Sequence, residues 1–112
     1  MDETLSADVR IVYLEPAKKD FERFRLFLRA NDVSEERISH IINGVLDSID
    51  NLECNPQPGF SFGSRRGYKT PYRGYITDPY IAVYEIVGKT IEIRRIYHQK
   101  EDYIRDILVI EP

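Results

Sequence analysis

Apolar residues recur at helical spacing through the middle of the chain. From residue 38 to residue 52 they return every three or four positions, as on one face of an α-helix, at Ile38, Ile41, Ile42, Val45, Leu46, Ile49 and Leu52. Ser34 stands where an N-cap residue would accept a backbone hydrogen bond. Glu35 and Glu36 follow it, where negative charge favours the positive end of the helix dipole. The pattern predicts a helix that begins at Ser34 and ends around residues 51–54.

The residues before this helix predict a strand and another helix. Val9 to Leu14 is a short run rich in β-branched and aromatic residues, which is typical of a strand. Pro16 suits the first position of a helix, because its missing N–H is not needed there. The helix is predicted to run to about Arg29, with an apolar stripe formed by Phe21, Phe24, Phe27 and Leu28.

After the second helix the apolar spacing changes to that of strands. Residues 55–59, Asn-Pro-Gln-Pro-Gly, form a cluster of helix breakers. Strands are predicted beyond it at residues 73–77, 80–87 and 90–97, with turns at Asp78-Pro79 and Gly88-Lys89. This order predicts an α+β fold: an N-terminal strand, a two-helix hairpin and an antiparallel three-stranded meander. The helices are expected to pack on one face of the sheet.

The length and composition are those of one globular domain. With 112 residues, of which 42% are hydrophobic and 31% charged, we expect a single domain over residues 1–112, with residues 1–8 flexible. No apolar run approaches the roughly 20 residues that cross a bilayer, and the acidic start is unlike a secretory signal. We therefore expect a cytoplasmic protein that does not associate with membranes.

The few cysteines and histidines limit the possible chemistry. The single cysteine, Cys54, excludes an internal disulfide and a cysteine-based metal cluster, and we expect it to be packed at the end of the second helix. The two histidines, His40 and His98, lie far apart in the sequence, so we expect no metal site. No cofactor is expected.

Charge is distributed unevenly along the chain. Residues 1–56 hold seven Lys and Arg against twelve Asp and Glu, a formal charge of −5, whereas residues 60–100 hold eight against three, a formal charge of +5. Such an asymmetry indicates an anionic partner for the second half, either nucleic acid or an acidic protein segment. The alternative is a solvated sheet face. The candidate contact residues are Arg65, Arg66, Lys69, Arg73, Arg94 and His98.

The stretch IEIRRIYHQKEDY, residues 91–103, brings a histidine among cations and phenols. Cleavage of RNA needs proton transfer at near-neutral pKa and cations around the phosphorus. If the protein is a nuclease, His98 would transfer protons, Tyr103 would assist, and Arg73 and Arg94 would hold the phosphate. The other hypothesis is a histidine at a strand end, orienting the final segment or contacting a partner.

The sequence pattern allows His98 to lie on either face of its strand. An undistorted strand puts Glu92, Arg94, Ile96 and His98 on one face, because side chains alternate with a period of two. The mixed character of both faces after Ile93 predicts a bulge or a frayed end near Arg94 and Arg95.

The predicted elements and their residues resemble the RelE/ParE superfamily of toxins from type II toxin–antitoxin modules. Residues 80–86, YIAVYEI, are similar to the central-strand motif of the family. Residues 91–102, IEIRRIYHQKED, are similar to the ParE-type strand that ends in histidine, a few polar residues and aspartate. Residues 16–20 and Asn55-Pro56 followed by Gly59 carry weaker signatures. The resemblance covers Val9 to about Leu108 and implies the toxin fold.

The resemblance also implies a target and partners. RelE-type members are ribosome-dependent mRNA nucleases and commonly carry arginine after the motif tyrosine, whereas here Ile81 follows Tyr80. ParE-type members poison DNA gyrase and tolerate an apolar residue at that position. The ParE branch is therefore favoured, and with it a gyrase-directed toxin that forms a hetero-oligomer with a cognate antitoxin. The alternative is a RelE-like endoribonuclease that acts on mRNA at the ribosome. A third hypothesis is a family member that no longer inhibits growth and serves as an interaction module.

Overall fold

The computed structural model describes residues 9–54, 60–61, 71–77 and 79–99. In chain order they form β1 (Arg10–Tyr13), α1 (Glu15–Ala30), α2 (Glu35–Asp50), a 3₁₀ turn (Asn51–Glu53), β2 (Phe60–Ser61), β3 (Tyr72–Ile76), β4 (Tyr80–Val87) and β5 (Thr90–His98). Several residues for which the sequence makes predictions lie outside the described ranges. They are residues 1–8, the turn residue Asp78 and four candidate contact or catalytic residues. Those four are Arg65, Arg66, Lys69 and Tyr103.

The strands form one mixed sheet in the order β1-β5-β4-β3-β2. The meander of β3, β4 and β5 is antiparallel, whereas β1 pairs with β5 in parallel, from Arg10 opposite Thr90 to Tyr13 opposite Ile93. Gly88, with φ of 63°, allows the tight connection between β4 and β5. The predicted α+β fold is confirmed, and β2 is a two-residue edge strand that the sequence pattern did not predict.

Helix α2 is held by its cap and by its apolar face. The Ser34 side-chain oxygen accepts a hydrogen bond from the Arg37 backbone N–H at 3.2 Å, as predicted for the N-cap. The apolar side chains that α2 buries against the sheet are Ile38, Ile42, Val45 and Ile49. Burial of each isoleucine or valine of this size stabilises the folded state by about 1.5–3 kcal/mol. This face is the centre of the core.

Helix α1 differs from its prediction in how much of its apolar stripe is buried. Phe24 is in the core, and Phe21 and Leu28 pack against it, but the Phe27 side chain remains 64% exposed. A second prediction was also wrong, because Cys54 is exposed rather than packed. The helical spacing predicted α1 correctly, but spacing alone does not show how far the sheet extends beneath a helix.

The end of α1 and the start of α2 are joined by an ion pair. Arg29 Nε lies 2.6 Å from Glu35 Oε2, and Arg29 Nη2 lies 3.1 Å from Glu35 Oε1. The hydrogen bond from Arg29 lowers the pKa of the Glu35 carboxyl. Both side chains are exposed, so this pair orients the helix hairpin more than it stabilises the fold.

Candidate functional site: a groove that contains His98

Strand β5 has a bulge at Arg94. Val83 of β4 lies opposite Arg95, and the next residue, Tyr84, lies opposite Ile93, so Arg94 is the extra residue between two paired positions. An extra residue shifts the alternation of side chains by one position. Ile93 and Ile96 consequently both belong to the core beneath the helices. The irregularity predicted near Arg94 and Arg95 is confirmed.

The bulge places His98 on the face of the sheet that the helices cover. His98 lies directly opposite Tyr80 of β4, and their rings meet edge to face with centroids 5.5 Å apart. Tyr80 in turn packs on Phe24 of α1, with ring centroids 4.7 Å apart. His98 therefore joins a short row of aromatic rings that leads from β5 to α1.

A groove of about 840 Å³ opens beside these rings. Its lining residues come from both helices and from the adjacent ends of β4 and β5: Arg23, Phe24, Phe27, Leu28, Ile41, Pro79, Tyr80 and His98. The Arg23 guanidinium lies over the Phe24 ring, 4.7 Å from its centroid. The surface is therefore mostly apolar, with one guanidinium and one imidazole.

Arg94 lies on the opposite face of the sheet. Its Nη1 is 3.3 Å from Glu85 Oε1 and 3.4 Å from Glu92 Oε1, and its guanidinium carbon is 5.3 Å from the centroid of the Tyr72 ring. Two carboxylates thus surround one guanidinium. Because they neutralise it locally, this cluster has little attraction for a phosphate.

Arg73 does not line the groove either. It lies opposite Tyr84, whereas His98 lies opposite Tyr80, four residues away along β4. At about 3.3 Å per residue, the two backbone positions are about 13 Å apart along the strands. Of the residues predicted for catalysis or binding and described in the structure, only His98 reaches the groove.

Next to this site lies a buried carboxylate that was not predicted from the sequence. Asp20 of α1 is 3% exposed, and its oxygens accept hydrogen bonds from Arg95 Nε at 2.8 Å, Arg95 Nη2 at 3.0 Å and the Ile96 backbone N–H at 2.8 Å. Arg23 Nη2 is a further, longer contact at 3.4 Å. The sequence did contain an indication that Asp20 is buried. It lies three residues after Ala17 and four before Phe24, which places all three on the same side of α1.

Within the described part of the chain, no group of three or more His, Cys, Asp or Glu side chains is placed to hold a metal ion. Neither described helix is long and apolar enough to span a membrane.

Comparison with known proteins identifies relatives of this fold. A sequence profile for the family described as "ParE toxin of type II toxin-antitoxin system, parDE" matches residues 11–103. No curated protein gives a significant match to the chain.

Several solved structures share the architecture. The chain is similar to a chromosomal ParDE system from P. aeruginosa, at 16% identity over 80% of this chain and 95% of that one, with a TM-score of 0.64. It is also similar to YafQ from E. coli strain BL21(DE3), at 18% identity over 80% and 91% of the two chains, with a TM-score of 0.53. A conserved hypothetical protein from Helicobacter pylori matches at 19% identity over 83% and 97%, with a TM-score of 0.55. At these identities the likeness establishes a common fold.

Proposed function

From the premise that this chain belongs to the ParE toxin family of type II toxin–antitoxin systems, we propose that it inhibits growth by binding DNA gyrase. In this proposal the protein acts in the cytoplasm, needs no cofactor, and is neutralised in a hetero-oligomer with a cognate antitoxin. The toxin then works by occupying its target and not by cleaving RNA.

The bulge in β5 is the observation that carries the proposal. RNA cleavage would need the proton-transferring group and the phosphate-binding cations in one site. Here His98 lies in a mostly apolar groove on one face, while Arg94 lies between Glu85 and Glu92 on the other. The guanidinium that shares the groove with His98 belongs to Arg23, and it contacts the buried carboxylate of Asp20 at 3.4 Å. An imidazole among aromatic rings and a neutralised guanidinium favour protein contact over phosphate chemistry.

The residue at position 81 adds support. Ile81 is 2% exposed and lies opposite Tyr97 in the sheet. RelE-type nucleases, which the sequence also resembles, commonly carry arginine after the motif tyrosine. A buried apolar side chain cannot contribute a cation to a phosphate site. The nuclease alternative therefore lacks a second cation at this position.

We assign the groove to the antitoxin, as an acidic amphipathic segment. The groove presents Phe27, Leu28 and Ile41 to apolar side chains, and Arg23 and His98 at positions where carboxylates could pair. An amphipathic segment laid in an apolar groove is a recurrent mode of peptide recognition, and complementary charge selects its orientation. The positive balance of residues 60–100 favours the same kind of partner.

The target is tested by two assays on the purified toxin. We expect inhibition of gyrase supercoiling at toxin concentrations that leave mRNA intact on translating ribosomes. A toxin that cuts mRNA in a ribosome-dependent way and leaves supercoiling unchanged would replace the gyrase proposal with the nuclease alternative.

The antitoxin is tested by expressing the toxin from its native operon with an affinity tag. We expect a small acidic protein to co-purify in a fixed ratio. Recovery of the toxin by itself, with no bound protein, would count against a neutralising partner.

A further inference from the structure

The edge of β5 is covered by two different elements along its length. Strand β1 pairs with its first half, and the last backbone contact is the Leu14 N–H to the Ile93 carbonyl, at 3.0 Å. Beyond that point the Ile96 N–H donates to Asp20 Oδ2 of α1, at 2.8 Å. The carboxylate accepts the hydrogen bond that a carbonyl of a continuing strand would have accepted.

The same carboxylate holds the residue next to the bulge. Arg95 follows Arg94 directly, and its Nε and Nη2 lie 2.8 and 3.0 Å from the two oxygens of Asp20. Two parallel N–H···O bonds of this kind fix geometry as well as adding energy. Asp20 therefore contacts the side chain of the first residue after the bulge and the backbone of the second.

We propose that Asp20 is a positioning residue for His98. By holding Arg95 and Ile96, it fixes β5 in the bulged register, which sends Arg94 to one face and His98 to the other. Without the bulge, the two-residue period would place Arg94 and His98 on the same face. The partner-binding role of the groove rests on the function proposed above, but the effect of Asp20 on His98 does not depend on it.

The chemistry of the pair supports a role in register. Asp20 is buried, whereas the Arg95 side chain is 30% exposed. An ion pair with a buried member often adds little net stability compared with apolar residues of the same volume, and its best-attested use is to select one arrangement over another. At this site the alternative arrangement is a strand slipped by one residue, which would exchange the faces of all the side chains beyond Arg94.

The test is the NMR signal of His98 in folded variants. The chain has two histidines, and the exposed His40 on α2 serves as an internal reference. In the wild type we expect the His98 ring protons to be shifted by the Tyr80 ring and to show nuclear Overhauser effects to it. Asp20→Ala should abolish those effects and move the His98 signals towards those of an exposed histidine, while His40 stays unchanged.

Three further variants separate positioning from general damage. Asp20→Ala/Arg95→Ala also removes the guanidinium left without its carboxylate, so it should fold even if the single variant does not, and should show the same loss. Asp20→Asn keeps an oxygen for the Ile96 N–H and should retain most of the His98–Tyr80 contact. Ile42→Val weakens the core but leaves the hydrogen bonds of Asp20 to Arg95 and Ile96 in place, so it should leave both histidines unchanged.

A folded Asp20→Ala or double variant with wild-type His98 signals would overturn the proposal. Loss of the His98–Tyr80 contact in Ile42→Val would overturn it as well, because any destabilisation would then have the same effect. None of these readouts involves gyrase or an antitoxin, so a failure of the proposed function would leave the NMR result interpretable.

Discussion

Helices α1 and α2 have the same length and lie against the same sheet, yet they use their apolar sides differently. Each has 16 residues. Helix α2 buries its four central apolar residues almost completely, and none of them is more than 3% exposed. Helix α1 buries Ala17, Phe24 and the carboxylate of Asp20, and leaves Leu26 and Phe27 59% and 64% exposed. One helix builds the core, whereas the other fixes a sheet edge and forms the wall of a groove.

The difference shows how an apolar residue can be assigned a role. On α2 the apolar residues belong to one buried cluster with residues of β4 and β5, so their hydrophobic energy stabilises the fold. On α1, Phe27 contributes a large apolar surface that folding leaves in water. A surface of this kind in a groove is more often an interaction site than a defect. The same substitution should therefore unfold the protein when it is made on the buried face of α2 and leave the fold intact when it is made at Phe27 of α1.

The strongest test is a charge in the middle of α2. Ile42→Asp should unfold the protein, because it buries an unpaired carboxylate at a position that is 1% exposed. The expected cost is several kcal/mol, against a typical total stability of about 5–15 kcal/mol. Circular dichroism and thermal melting measure the loss.

The matched control places the same charge at an exposed position of the same helix, one turn before Ile42. Ser39 is exposed, so Ser39→Asp should change stability by no more than about 0.5 kcal/mol. A folded Ile42→Asp protein with an unchanged melting temperature would show that α2 does not carry the core.

The second test puts the same charge on α1. Phe27→Asp should leave the fold intact, since the side chain is mostly exposed, and should weaken antitoxin binding by about 10- to 100-fold. Leu26→Asp is the control, because Leu26 is almost as exposed but does not line the groove. Calorimetric titration with the purified antitoxin measures both affinities. Equal losses for the two variants would remove the groove from the interface.

The contrast between the helices could be predicted only in part from the sequence. Periodicity located α2 and its buried face, because seven apolar positions at helical spacing leave no other side to bury. Periodicity also located α1 but could not separate Phe24 from Phe27. Their exposure depends on where the sheet ends, which is a property of strand pairing far away in the sequence.

The candidate site was predicted less completely, for a related reason. The mixed faces of β5 indicated a bulge near Arg94, but not the face that His98 would occupy. In our proposal that face is fixed by the hydrogen bond from the Ile96 N–H to Asp20, two residues that are 76 positions apart in the chain. The spacing of Asp20 from Ala17 and Phe24 was visible, but its partner was not.

The third test asks what His98 contributes within the groove. His98→Gln should change growth inhibition by no more than a few-fold at equal expression, since the proposed toxin works by binding. It should weaken antitoxin binding modestly, because it removes an aromatic ring that packs on Tyr80. Loss of a general acid or base would instead reduce activity by about 10²- to 10⁴-fold. A reduction of that size, together with loss of ribosome-dependent cleavage, would make His98 catalytic.

The smallest effect is expected at Tyr13, the last residue of β1. Its ring is 6.2 Å from that of Phe21 on α1. Among the described residues its buried hydroxyl has no hydrogen-bond partner. Burial first, and then the negative charge of Asp50 on α2, raises the pKa of Tyr13 from 10.0 to about 12.

The raised pKa gives a definite sign to the effect of pH on stability. The folded state disfavours the tyrosinate, so unfolding becomes more favourable as the pH rises from about 10, the unfolded value, through about 12, the folded value. Tyr13→Phe removes this ionisation together with a hydroxyl that lacks a partner. The variant should therefore match or slightly exceed wild-type stability at pH 7, and its advantage should grow between pH 10 and pH 12. Urea unfolding at a series of pH values measures the stability of both proteins. If the two plots of stability against pH stay parallel up to pH 12, the Tyr13 hydroxyl is solvated in the folded state and the predicted desolvation is wrong.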